Sequence, residues 1–194
     1  LINIPDQTLV EVAGGFGDWQ IRSVYGLGGV ALLKDTVTSL LGIPIDAFLD
    51  IEEPSDIADG DLLIREFGKD LIGGFIRLSS LKSDLTLLEL IRLKAGLSAV
   101  RFDKVEKLDL TQALEISKLG DGTEVFIPDL IRIDGIITPY VADPAIKLEH
   151  QNIAIFNAAE VGGIAQSAAR IVTNIGGNAI ITTNASKKIR HTQV

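Results

Sequence analysis

Glycine and proline cut the apolar stretches of this chain into pieces the length of a strand or a short helix. The chain carries 19 glycines and 6 prolines in 194 residues, and most of them punctuate apolar segments rather than interrupt them. A fold of short, alternating elements packed in layers is what such a pattern can build. No piece approaches the roughly 18 consecutive apolar residues of a membrane span, so the expectation is a soluble chain. Hydrophobic residues make up 46% of the sequence, which supplies a core and excludes intrinsic disorder.

The pattern resolves into elements. Leu1–Ile4 and Thr8–Val12 read as short strands around a Pro5-Asp6-Gln7 break, Gly14, Gly15 and Gly17 as a turn, and Gln20–Tyr25 as a further extended segment. Val30, Leu33, Val37, Leu40 and Leu41 share one helical face, and Gly42 with Pro44 ends that helix. Ile45–Ile51 reads as a buried strand. Glu52–Lys69 is acidic, with a possible helix start at Pro54-Ser55-Asp56, and residues 71–78 are apolar and Gly-rich. Thr86 and Glu89 have the spacing of a capping box that opens a helix running to about Leu97. Lys104–Leu110 reads as a strand. Residues 111–148 are broken by glycine and proline and read as a connector that packs on the main domain. Asn152–Phe156, Gly163–Ile175 and Asn178–Thr183 form a strand–helix–strand unit, too small to bury a core alone.

Chemistry-bearing motifs are sparse. There is no Cys, which removes disulfides, thiolate metal sites and thiol nucleophiles. His150 and His191 lack a second ligand at zinc spacing, and surface placement is the favoured reading. Gly26-Leu27-Gly28-Gly29 precedes a helix but fails both the P-loop and the dinucleotide fingerprint, so a structural turn is favoured. The carboxylates from Asp46 to Asp61 lack EF-hand order and read as an acidic surface. Trp19 caps a pocket or sits at a rim. The net charge is −8 and the basic residues are scattered, with one terminal cluster at Lys187, Lys188 and Arg190, so nucleic acid is not expected as a partner.

Several segments, in order, resemble one family. Leu1-Ile2-Asn3-Ile4-Pro5-Asp6-Gln7-Thr8 resembles the strand that ends in Pro-Arg-Asp-Thr in LytR-CpsA-Psr cell-envelope proteins. Gln20 to Gly29 resembles that family's Lys-Ile-Asn-Ala-Ala-Tyr-Ala-Tyr-Gly-Gly segment. Leu41-Gly42-Ile43-Pro44-Ile45-Asp46 resembles its Leu-Gly-Ile-Pro-Ile-Asp, and Leu81 to Thr86 with the following helix resembles its late helix. Asp143-Pro144 to Thr183 resembles the LytR C-terminal domain, with Asn157 at the usual Asn-Gly turn and Gly163-Ile164-Ala165 at a Gly-Leu-Ala helix start.

The resemblance implies an extracytoplasmic, membrane-anchored protein. The chain begins at Leu1 and contains no Met, so a signal or N-terminal anchor is expected upstream. Active members resemble phosphotransferases that move a glycopolymer from a polyprenyl-pyrophosphate lipid to the cell wall. Arginine forks hold the pyrophosphate and acidic residues hold Mg²⁺. The sequence departs from that pattern where the chemistry sits. Asp6 follows Pro5 with no intervening Arg, Gln7 occupies the family's Asp position, Gln20 replaces Lys, and Arg22 stands where Asn is usual. Only some 40 residues separate Asp46 from the late helix, and Arg65 and Arg77 are the arginines they hold.

These readings commit to an α/β fold: a mixed sheet flanked by helices, plus a small C-terminal α/β domain. The divisions are 1–120 (main domain lacking the Arg-rich segment), 121–148 (connector) and 149–194 (LytR C-terminal-like). The leading expectation is a non-catalytic envelope protein that binds a cell-wall polymer or a partner through Asp6, Arg22 and Tyr25. The alternative is an active transferase, with Arg22, Arg65 and Arg77 lining a lipid groove and Asp6 beside Mg²⁺. A transcriptional regulator is the third reading, which the acidic charge and the lack of a recognition helix oppose.

Overall fold

The computed structural model describes residues 1–50, 82–99, 105–159 and 161–188. In chain order the elements are β1 (Leu9–Val12), β2 (Gly17–Gln20), α1 (Ile21–Leu41), β3 (Leu49–Asp50), β4 (Lys82–Ser83), α2 (Leu87–Ala99), β5 (Leu114–Lys118), β6 (Glu124–Pro128), α3 (Leu130–Val141), α4 (Pro144–Glu149), β7 (Asn152–Asn157), α5 (Ile164–Asn174) and β8 (Asn178–Asn184). The chain divides into two compact units. One holds Leu1–Ile4 and Ile45–Asp109, the other Pro5–Pro44 and Leu110–Val194.

The larger unit is a mixed α/β assembly. β1 and β2 form an antiparallel hairpin, as do β5 and β6. An isolated parallel bridge from Thr8, just ahead of β1, to Phe126 of β6 links the two hairpins; the described strands otherwise pair two by two, so the α/β class expected from the sequence is present as small two-stranded sheets rather than as one mixed sheet. Asp129 caps α3 by accepting from the Ile131 and Arg132 amides, and Asp143 caps α4 ahead of Pro144. α3 packs on both α1 and α5. Val12, Val24, Val125, Ile133 and Ile137 are fully buried; each contributes about 1.5–3 kcal/mol by leaving water. Two buried hydroxyls are satisfied: Thr8 Oγ1 donates to the Pro5 carbonyl at 2.7 Å, and Thr36 Oγ1 accepts from the Ala13 amide at 3.3 Å.

The C-terminal strand–helix–strand reading matches the structure to within a residue. β7 and β8 pair in parallel, with α5 between them in sequence and packed on both. Asn157 makes the following turn, accepting from the Ala159 amide and donating to the Val161 carbonyl. Residues 111–148, read from their breakers alone, hold the β5–β6 hairpin and two helices.

Three local readings are corrected. Of Gln20–Tyr25 only Gln20, the last residue of β2, is extended: Ile21 opens α1, and the orphan Ile21 and Arg22 amides donate to the Thr8 and Asp6 carbonyls at 2.8 and 3.2 Å. Those acceptors come from the β1 approach, which no local pattern displays. Ile45–Ile51 holds only Leu49-Asp50 as strand among its described residues, because β3 pairs with β4 over just two positions. Lys104–Leu110 reduces, among its described residues, to one bridge between Leu108 and Ile2. In the smaller unit the capping box is present: the Glu89 amide donates to Thr86 Oγ1, and the Thr86 amide donates to Glu89 Oε2 at 2.8 Å. The readings for residues 52–78 and for His191 lie outside the described residues. Among the described residues no helix is long and apolar enough to cross a membrane.

Candidate functional site

The Pro5-Asp6-Gln7 turn and the first turn of α1 bring two of the candidate residues together. Thr8 closes the turn with its amide on the Pro5 carbonyl at 3.0 Å. Gln7 is held in place by its carbonyl, which accepts from the Phe126 amide at 3.2 Å. This fixes Asp6 over the start of α1, where its carbonyl accepts the Arg22 amide and its carboxylate faces the positive end of the helix. The Arg22 guanidinium lies 3.8 Å from the Asp6 carboxylate, and both side chains are open to solvent, 51% and 68% exposed. Tyr25 stands one helical turn beyond Arg22 and is 45% exposed, while Val24 between them is fully buried. Arg22 and Tyr25 therefore share the outer face that the burial of Ile21 and Val24 dictates. Arg65 and Arg77 lie outside the described residues, so the structure brings together Asp6, Arg22 and Tyr25 from the candidate set.

The glycines that follow are structural, as the motif failure indicated. Gly28 and Gly29 break α1 into two helical segments, with Gly29 at φ 68 and ψ −160, a backbone that a side chain would strain. Trp19 is 45% exposed and donates its indole N–H to the Phe16 carbonyl at 2.9 Å, which puts it at a rim rather than over a pocket. His150 is on the surface, at the C-terminus of α4.

The arrangement can offer one guanidinium, one phenol and one carboxylate to a ligand approaching α1. Asp6 shares its carboxylate with Arg22, and among the described residues no three acidic or histidine side chains gather to hold a metal ion.

The most developed polar cluster was not singled out from the sequence. Arg170 of α5 donates from Nε to both Asp134 oxygens at 2.9 and 2.7 Å, and from its two terminal nitrogens to the carbonyls of Ser39 and Leu40. Asn174 donates to the Gly42 carbonyl at 3.1 Å and to Asp134 at 2.7 Å, and accepts from Thr138 at 3.1 Å. These groups satisfy the orphan carbonyls at the end of α1, so the cluster is architectural. Its signal in the sequence is a charge set among apolar residues in each of two helices, Asp134 between Ile133 and Ile136-Ile137, and Arg170 between Ala168-Ala169 and Ile171-Val172.

No protein-family model and no curated protein matches the chain in sequence. Solved structures match it in fold. TagV of Bacillus subtilis is 18% identical, with 70% of this chain and 79% of that one covered, at a TM-score of 0.52. The Bacillus subtilis transcriptional regulator yvhJ is 19% identical over 70% of this chain and 76% of its own, at a TM-score of 0.51. A third, the LytR-CPS2A-psr family protein YwtF (TagT) with bound octaprenyl pyrophosphate lipid, is 16% identical over 70% and 74%, at a TM-score of 0.46. The chain has the α/β fold of TagV and yvhJ, and that is the fold the sequence resemblance led to.

Proposed function

We propose that this chain is a LytR-CpsA-Psr-type cell-envelope protein that binds a cell-wall glycopolymer or a partner without transferring it. Two independent lines support the family part of this reading: the ordered sequence motifs from Leu1 to Thr183, and the fold shared with TagV. The observation that carries the non-catalytic part is the Arg22–Asp6 pair. Where the family motif would bring free cationic groups to a pyrophosphate, the described residues at the start of α1 place Arg22, whose guanidinium lies 3.8 Å from the Asp6 carboxylate. A doubly phosphorylated group needs several converging donors to offset its charge, and the chain's net charge of −8 supplies no general positive field. A hydroxylated polymer needs less: the exposed Tyr25 ring and the Asp6 carboxylate can stack on and hydrogen-bond to sugar units.

On this reading residues 149–194 are the LytR C-terminal-type unit, and the protein works outside the cytoplasm, anchored at the membrane. The test is a paired assay. The purified chain is mixed with isolated cell wall, and separately with a polyprenyl-pyrophosphate-linked glycan, a peptidoglycan acceptor and Mg²⁺. Co-sedimentation with wall and no transferred product is the expected result. Mg²⁺-dependent transfer would overturn the proposal in favour of a rebuilt transferase that uses Arg22, Arg65 and Arg77.

A further inference from the structure

Away from the Asp6–Arg22 face, the end of α4 and the first residues of β7 and β8 enclose an open cleft of about 480 Å³, within the size range of small-molecule sites. Ile146 and Gly176 line it together with the polar Lys147, His150, Asn152 and Asn178. We propose that this cleft binds a sugar or polyol carrying an anionic group, a phosphate or a carboxylate.

Three features of the site carry the proposal. The first is charge. Lys147 and His150 face the cleft, and neither makes an ion pair with a carboxylate among the described residues. Of the nearby acidic residues, Asp143 caps the start of α4, accepting from the Ala145 amide at 2.7 Å, and Glu149, next to His150 in the chain, does not line the cleft. An ammonium beside an imidazole on a chain of net charge −8 is a local reversal of sign that suits an anion.

The second is the amide pair. Asn152 and Asn178 stand opposite each other where β7 and β8 begin, and Asn178 Nδ2 donates to Asn152 Oδ1 at 2.7 Å. That bond fixes both side chains and leaves a free acceptor on Asn178 beside a free donor on Asn152. A donor and an acceptor side by side match adjacent hydroxyl groups.

The third is the backbone. His150 has φ 50 and ψ 29, and it is the one non-glycine residue with positive φ among the described residues. It is the left-handed residue that ends α4, with its amide donating to the Lys147 carbonyl. Here the turn aims the imidazole at the cleft. Gly176, at φ 108, is also fixed: a Cβ there would lie 3.0 Å from the Asp143 carbonyl and 3.1 Å from Lys147 Cγ. The Gly176 turn and the Lys147 stem thus lie close together beside the cleft.

The test is titration of the full chain with glucose 6-phosphate and with glucose, followed by amide NMR. Saturable shifts at Lys147, His150 and Asn178 are expected with glucose 6-phosphate and not with glucose. Lys147→Gln is expected to weaken binding by about tenfold, as loss of one charge-assisted contact does. His150→Asn keeps a residue suited to the left-handed turn and is expected to weaken it about threefold. Lys118→Gln removes the same charge outside the cleft and is expected to leave binding unchanged. Absence of saturable shifts, equal shifts with glucose, or an equal loss in Lys118→Gln would overturn the proposal. None of these outcomes depends on the wall-binding assay, so the two readings stand or fall separately.

Discussion

Arg170 and Asp134 are joined by a two-pronged ion pair, with Nε and Nη2 of the guanidinium both within 3 Å of the carboxylate. The same guanidinium also closes the end of α1 through the Ser39 and Leu40 carbonyls. The two side chains are 17% and 23% exposed, so water screens them little. Removing one partner leaves a charge without its counter-charge and two helix-end carbonyls without a donor. Arg170→Ala is expected to lower unfolding free energy by about 2–4 kcal/mol. Arg170→Lys restores charge without the planar fork and is expected to recover less than half of that. Urea denaturation measures both. Because the partners act as one unit, Arg170→Ala with Asp134→Ala should cost clearly less than the two single losses added. An additive result would show that the pair is not coupled.

Gly42 is the point where α1 stops against this cluster. Its φ is 63, the left-handed conformation that ends helices. A Cβ built there would collide with Asn174 Nδ2 and come within 3.0 Å of the Arg170 guanidinium. Gly42→Ala therefore combines backbone strain with a steric clash, and a loss of about 2 kcal/mol or more is expected. Thermal unfolding followed by circular dichroism checks it, and a neutral outcome would mean that the cluster has slack the structure does not suggest.

The sequence carried Gly42 as a helix stop but not what the stop meets. That difference runs through the whole chain. Elements whose signals are local were legible: the Thr86–Glu89 box, the Gly42 terminus, and the β7–α5–β8 unit, whose apolar segments are framed by Gly162-Gly163 and Gly176-Gly177. Elements whose ends are satisfied at a distance were not. Gln20–Tyr25 alternates like a strand, yet Ile21 and Val24 are buried as a helical pair because Thr8 and Asp6 accept the amides of the first turn. In α2, Leu87, Leu90, Ile91 and Leu93 recur at helical spacing, but Leu87 and Ile91 remain 58% and 50% exposed, since periodicity names a face and not its burial. At the candidate site, Asp6, Arg22 and Tyr25 could be chosen by resemblance. That Asp6 would pair with Arg22 depends on a turn held by Phe126, more than a hundred residues away.

The Arg22–Asp6 pair itself is predicted to matter for binding and not for folding. Exposed pairs of this kind contribute about 0–1 kcal/mol after screening and side-chain ordering. Arg22→Gln is expected to change unfolding free energy by about 0.5 kcal/mol or less, while reducing co-sedimentation with isolated cell wall. Tyr25→Ala should reduce it as well, again without loss of fold, because the ring is nearly half exposed. Wall binding that survives both substitutions would move the interaction away from the start of α1.

The start of α2 gives a prediction in pH. Glu89 is fully exposed, yet its carboxyl is held below the usual glutamate value, first by the hydrogen bond from the Thr86 hydroxyl and then by that from the Thr86 amide. Both bonds are stronger to the ionised carboxylate than to the neutral acid. A folded value below the unfolded one means that the unfolded chain binds the proton more readily. The contribution of this cap is therefore complete above the unfolded glutamate value and is lost as pH falls through the lowered folded value. Carboxyl ¹³C NMR should show Glu89 titrating at lower pH than an unstructured glutamate. Thr86→Ala removes the hydroxyl donor, so the Glu89 midpoint should move upward, and the Leu87–Ala99 amides should lose hydrogen-exchange protection from the N-terminal turn first. Arg92 is the lesser influence on this carboxyl, so Arg92→Gln should shift the midpoint less than Thr86→Ala does. The reverse order would make the helix start an ion-pair effect rather than a cap.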